Sequence, residues 1–176
     1  MTPGRRIALF WGAGALAALA GAGAALWRLR PSAPAERAVA ELFTQTLPDP
    51  DGQPQPLSQW QGKVLVVNFW ATWCPPCVEE MPDLQKVRDA YAGRGVEVLG
   101  IGIDNPNKIR ACRDQHRIGF PLLVAGFGGQ ELARALGNHV AAMPYTAVID
   151  RSGRVIYRKL GRVRAEELER WLDEAA

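Results

Sequence analysis

The chain has little cysteine and less histidine: three and two residues respectively in 176. Three cysteines are too few to staple a small domain together, so no disulfide scaffold is expected. Two of them, Cys74 and Cys77, sit three apart, and Cys112 stands alone. There is no second Cys-x-x-Cys. A structural zinc needs four ligands, and beyond the pair there remain only Cys112, His116 and His139, so no metal site is expected. A basic stripe interleaved with aromatics is also missing. Lysine and arginine leave a net charge of only +3, with the arginines scattered through the C-terminal half, which argues against a nucleic-acid partner. Internal repeats are absent. What remains is an ordinary globular composition, 48% hydrophobic and 22% charged, long enough for one domain with its own core.

That average hides an uneven chain. Arg5 and Arg6 precede an apolar run from Ile7 to Trp27, 21 residues without a charge, and Arg28 and Arg30 follow. At a rise of about 1.5 Å per residue such a helix spans a hydrocarbon core of about 30 Å. The apolar part of a cleaved signal is usually shorter, about 7–15 residues. Residues 1–30 therefore read as an uncleaved single-pass anchor, N-terminus inside, with 7–27 in the inner membrane. Small residues at Ala20, Gly21 and Ala22 leave a cleaved signal and a soluble periplasmic protein as the alternative. Residues 31–40 (PSAPAERAVA) read as a linker in which Pro31 and Pro34 stop the helix, and 41–176 as the folded domain.

Within that domain the periodicity switches repeatedly. Residues 42–47 alternate as an edge strand, and Pro48 to Gly52 is dense turn chemistry. Residues 63–70 (KVLVVNFW) form a run of β-branched and apolar residues, the signature of a strand buried on both faces, and 96–103 read as a second buried strand. Residues 75–92 suggest a helix interrupted by Pro82, 107–118 and 129–137 further helices, and 121–125 another strand. Two strands, 146–149 and 155–160, flank a hairpin signal at Asp150-Arg151-Ser152-Gly153, and 165–175 closes the chain as an amphipathic helix. The fold class expected is α/β, a mixed central sheet with helices on both faces.

The Cys74-Pro75-Pro76-Cys77 segment lies where the first buried strand turns into a helix. A helix N-terminus carries unpaired N–H groups and about half a positive charge, which favours a thiolate, the reactive form of cysteine. Residues at i and i+3 are neighbours on a helix, so a small adjustment brings the two sulfurs into bonding range. Pro76 is tolerated in a first turn. Neither proline can donate an N–H, neither is charged, and no histidine stands between the cysteines. The pair therefore leans toward a reductant rather than an oxidant.

The segment VLVVNFWATWCPPCVEEMPDL resembles the TlpA/ResA/CcmG branch of periplasmic thioredoxin-like proteins, and the resemblance continues through AMPYTAVIDRSGRVIYRKLG. It covers roughly residues 41–176 and implies the thioredoxin-like fold, no cofactor, and thiol–disulfide exchange. It implies Cys74 as the exposed nucleophile and Cys77 as the resolving thiol. Trp73, Pro75 and Pro76 would flank them. Pro144 would be the cis-proline facing the pair, with the Met143 backbone and Gly161 along the substrate groove. Substrates would be disulfides of exported proteins, of the cytochrome c or copper-centre assembly type, with a membrane thiol reductant as electron donor. The chain departs from the pattern at Asn68, where classical thioredoxins carry a buried aspartate. Candidate proton acceptors for Cys77 are then Asp104 and Glu80, the latter otherwise a solvated helix carboxylate. Tyr145 stands where the cytochrome c branch often has glutamate.

Other functions remain open at this stage: an oxidant that introduces disulfides, a chaperone binding Cu(I) through the two thiolates, and, with poorer spacing, a peroxidase.

Overall fold

The structure, a computed structural model, describes residues 34–175. The apolar run 7–27, and with it the expected anchor, lies outside them. Among the described residues no helix is long and apolar enough to cross a membrane.

Helix α1 (Pro34–Thr44) corrects two expectations. From residue 34 on, the expected linker is the first half of this helix, and the strand expected over 42–47 shrinks to β1 (Thr46–Pro48). The reason is that proline starts a helix as readily as it stops one, because the N–H it lacks has no partner in the first turn. Glu36 sits in that turn, where the helix dipole favours an acid. Ala38, Val39 and Leu42 then share one face and are buried. β1 pairs antiparallel with β2 (Pro54–Pro56), a strand without a pattern in the sequence because two of its three residues are proline. The Asp49 carboxylate holds the turn between them, accepting from the Asp51 and Gln53 N–H groups at 2.9 Å each. A short 3-10 turn (Leu57–Trp60) leads into the main sheet.

That sheet has five strands in the order β5-β4-β3-β6-β7: β3 (Val64–Trp70), β4 (Val96–Gly102), β5 (Leu122–Val124), β6 (Tyr145–Ile149) and β7 (Val155–Leu160). β3, β4 and β5 run parallel, while β6 and β7 are antiparallel to their neighbours. Every residue of β3 is buried, as a run that is apolar except at Asn68 requires. Its side chains alternate between two cores. Val64, Val66 and Trp70 meet Leu84 and Val87 of α3 (Met81–Ala90), Ile109 of α4 (Pro106–His116) and Leu168 of α6 (Ala165–Ala175). Leu65, Val67 and Phe69 meet Leu42 of α1 and Ala133 of α5 (Gly128–Ala135). The mixed sheet covered on both faces is therefore as expected.

Gly100 on β4 pairs with Asn68 on β3. A Cβ there would meet Leu122 Cδ2 at 2.6 Å and the Phe120 and Trp70 rings at 3.2 Å. Gly100→Ala is expected to cost about 1–3 kcal/mol by overpacking. A lower urea midpoint at unchanged slope is the measurement.

Candidate active site

β3 ends at Trp70 and delivers the chain to Cys74, the N-cap of α2 (Pro75–Glu79). Pro75 and Pro76 fill the first helical positions, where a fixed φ helps and a missing N–H costs nothing. The Cys77 N–H reaches back to the Cys74 carbonyl at 3.0 Å and the Val78 N–H at 3.2 Å. This turn brings the two Cα atoms to 5.3 Å, and the cysteines are joined as a disulfide. Cys74 keeps 6% of its surface exposed and Cys77 none, so Cys74 is the member that meets solvent. Trp73 beside it is 61% exposed.

The Met143–Pro144 peptide is cis and directly precedes β6. Pro144 is buried, and half-buried Met143 packs against the cluster that holds both cysteines. The Gly161 N–H donates to the Pro144 carbonyl at 2.8 Å. Gly161 has φ +89°, in the region that favours glycine. The end of β7 is thereby tied to the proline loop, and Pro144 and Gly161 form one unit.

Glu80 corrects the expectation of a solvated helix carboxylate: it is fully buried. Pro82 lies in the first turn of α3 and breaks the helix expected over 75–92 into α2 and α3, with Glu80 at the junction. Proline cannot donate to the Val78 carbonyl, and the Glu80 N–H takes that place. The Glu80 side chain turns inward. Its Oε1 accepts from Asn68 Nδ2 at 2.7 Å and its Oε2 from the Val163 N–H at 2.9 Å. Asn68 Nδ2 also donates to Thr146 Oγ1 at 3.0 Å. Burial pushes the Glu80 carboxyl up to about 7, against the opposing pull of these hydrogen bonds and of the Arg162 charge. A carboxyl that titrates near neutrality thus sits one helical turn beyond Cys77.

Asp104, the other candidate acceptor, is placed differently. Its carboxylate accepts from the Thr72 hydroxyl and from the Asn105 N–H at 2.8 Å, and Lys108 Nζ lies at 3.6 Å. Burial would raise its pKa, but these partners outweigh burial and hold it below the usual carboxylate range. A carboxylate held ionised in this way is a weak base toward a thiol. Cys112 is buried and His116 exposed, so this i, i+4 pair does not converge, and His139 is exposed too. Among the described residues no three potential metal ligands cluster. Thr72, Thr146 and the Val163 N–H carry no sequence signal for their roles, because each acts through a partner distant along the chain.

Comparison with known proteins bears on this arrangement. A family model described as Redoxin matches residues 33–172. The thiol-disulfide oxidoreductase ResA of Bacillus thuringiensis is 30% identical over 125 residues, 70% of either chain. The protein of that name from Geobacillus kaustophilus is 31% identical over 128 residues, 72% of this chain and 71% of that one. Among solved structures, a thiol:disulfide interchange protein of the thioredoxin family from Chlorobium tepidum superposes with a TM-score of 0.65 at 30% identity, covering 74% of this chain and 92% of the other.

Proposed function

The chain belongs to the redoxin family and is a thiol–disulfide oxidoreductase, and we propose that it works as a membrane-anchored reductase of disulfides in exported proteins. The observation that carries the direction is the turn between the cysteines. A Cys74 thiolate feels the positive end of the helix, but Pro75 and Pro76 offer it neither an N–H nor a charge. A less stabilised thiolate gives up its electrons more readily, so the pair lies toward the reducing end.

The Cys74 thiolate attacks one sulfur of the substrate disulfide. That bond breaks, a mixed disulfide forms, and one substrate thiolate leaves. Cys77 loses its proton to Glu80 and attacks the Cys74 sulfur. The mixed disulfide breaks, the second substrate thiolate leaves, and the Cys74–Cys77 disulfide closes. Two electrons have passed to the substrate. Trp73 flanks the reacting sulfur, while the Met143 backbone, Pro144 and Gly161 form the edge along which an extended substrate segment lies. Glu80 suits the proton step better than Asp104, since it is buried and titrates near neutrality whereas Asp104 is held ionised. A membrane dithiol then returns two electrons to the enzyme's disulfide. Residues 7–27 anchor the domain to the inner membrane on its periplasmic side, where cysteine pairs of apocytochrome c or copper-centre proteins are the substrates.

A redox titration against glutathione tests the direction. The midpoint is expected nearer about −270 mV than about −120 mV, the approximate span of the fold. A value at the oxidising end would make the protein a disulfide donor instead.

A further inference from the structure

A cavity of about 520 Å³ opens beside the redox pair. Its walls include Trp73, Ile103, Asp104, Lys108, Phe127 and Gln130. Two aromatic rings stand unusually free there. Trp73 is 61% exposed, and Phe127, just before α5, is 90% exposed. Large apolar side chains left in water at one concave place mark a binding surface. The charges in the wall do not call for a charged ligand. Asp104 is satisfied by Asn105 and Lys108 of the wall and by the Thr72 hydroxyl behind it. What is left facing the cavity is mainly apolar.

The occupant follows from where the cavity lies. Trp73 is covalently next to Cys74, the solvent-facing member of the pair. Any polypeptide whose disulfide reacts at Cys74 must pass within a side chain's length of this opening. The one cation of the wall, Lys108, lies 3.6 Å from the Asp104 carboxylate, so the wall presents no cluster of cations that would recognise a phosphate. We propose that the Trp73–Phe127 cavity is a specificity pocket that takes one bulky apolar or aromatic side chain of the substrate polypeptide, a few residues from its reacting cysteine. The pocket rests on the exchange reaction proposed above. It adds a substrate class: disulfides flanked by a large apolar residue react faster than those in polar surroundings. Phe127 acts here as a specificity residue and takes no part in the chemistry.

The test uses the full-length protein, kept reduced by a small-molecule dithiol whose uncatalysed rate is subtracted, and peptides whose single cysteine is carried as its glutathione disulfide. Phenylalanine is walked along the residues on either side of that cysteine in an otherwise serine-rich peptide, and oxidised glutathione is the unflanked control. The expected result is a kcat/KM about tenfold higher with phenylalanine at one register, in the range of one interfacial aromatic contact. Phe127→Ala should erase that preference, Phe127→Leu should keep most of it, and neither should change turnover of oxidised glutathione. Because Phe127 is exposed, its truncation leaves no cavity in the core. A wild-type protein that turns over oxidised glutathione but shows no preference overturns the pocket alone. So does a Phe127→Ala variant that keeps the preference, or one that slows the glutathione control equally. A wild-type protein that turns over neither overturns the exchange reaction, and the pocket with it.

Discussion

Cys74→Ser is expected to bring disulfide exchange down to the uncatalysed background, the largest single effect in the molecule. Serine preserves size and the N-cap position, but its hydroxyl neither ionises near neutrality nor forms a bond equivalent to a mixed disulfide. Cys77 cannot take over, because it has no exposed surface through which a substrate sulfur could reach it. Cys112 cannot either: it is buried in the core cluster and burial raises its thiol above the ordinary value, which keeps it protonated and unreactive. Cys77→Ala should behave differently. It retains the attacking thiol and loses the resolving one, so the reaction stops at the mixed disulfide, and the protein gains the mass of one bound thiol partner. Loss of turnover with Cys74→Ser, covalent capture with Cys77→Ala and full activity with Cys112→Ala form one pattern, read by insulin reduction and intact mass. Residual exchange by Cys74→Ser would move the chemistry away from this pair. The species captured by Cys77→Ala would also identify the physiological substrates.

How much of this site could be read from the chain alone depends on the range of the forces involved. The reactive pair was legible because its chemistry is local: two thiols one turn apart, after a buried strand that announces itself as eight residues, 63–70, nearly all apolar. The hairpin around Asp150 was legible for the same reason, since its turn is closed by the residues that spell it. Helix α1 was misread where one residue type serves two opposite purposes, Pro34 opening a helix instead of ending one. Glu80 was misread because nothing near it in sequence buries it. Its partners are Asn68, 12 residues away, and the Val163 N–H, 83 residues away. Helical spacing after Cys77 could place it on a face but could not say that this face is turned inward by the break at Pro82. Phe127 carries no pattern at all. A single aromatic between glycines becomes notable only once β5 and α5, which flank it, bring it to the same cavity as Trp73.

Asn68 links these observations to the proton problem. Where classical thioredoxins carry an acid on the strand, this chain carries an amide on the strand and an acid on the helix, bonded to each other at 2.7 Å. The amide cannot take a proton but orients the carboxyl that the proposed mechanism uses. Replacing Glu80 is therefore expected to have the second largest effect, and glutamine is the informative choice. It keeps the shape, and the Asn68 amide can turn to present its oxygen to the new NH2 group, while the ability to accept a proton is lost. The Cys77 thiol, shielded from water, then has no base at hand. The resolving step should slow by about a hundredfold or more, within the usual range for a positioned general base. Mixed disulfide should accumulate during turnover with ordinary disulfide substrates, and raising the pH should partly restore the rate as Cys77 ionises unaided. The formation of the mixed disulfide, which needs only Cys74, should be nearly unchanged. Stability gives an independent readout. Folding raises the Glu80 pKa from 4.5 to about 7, so the folded state prefers the protonated acid. That preference is fully present below pH 4.5 and is lost as the pH rises through about 7. At about 1.4 kcal/mol per unit, the oxidised wild-type protein should lose roughly 3 kcal/mol across this window. In Glu80→Gln this loss should vanish, leaving urea midpoints nearly level between acid and neutral pH. A variant that resolves its mixed disulfide at the wild-type rate and still weakens as the pH rises would show that Glu80 neither moves the proton nor titrates in this window.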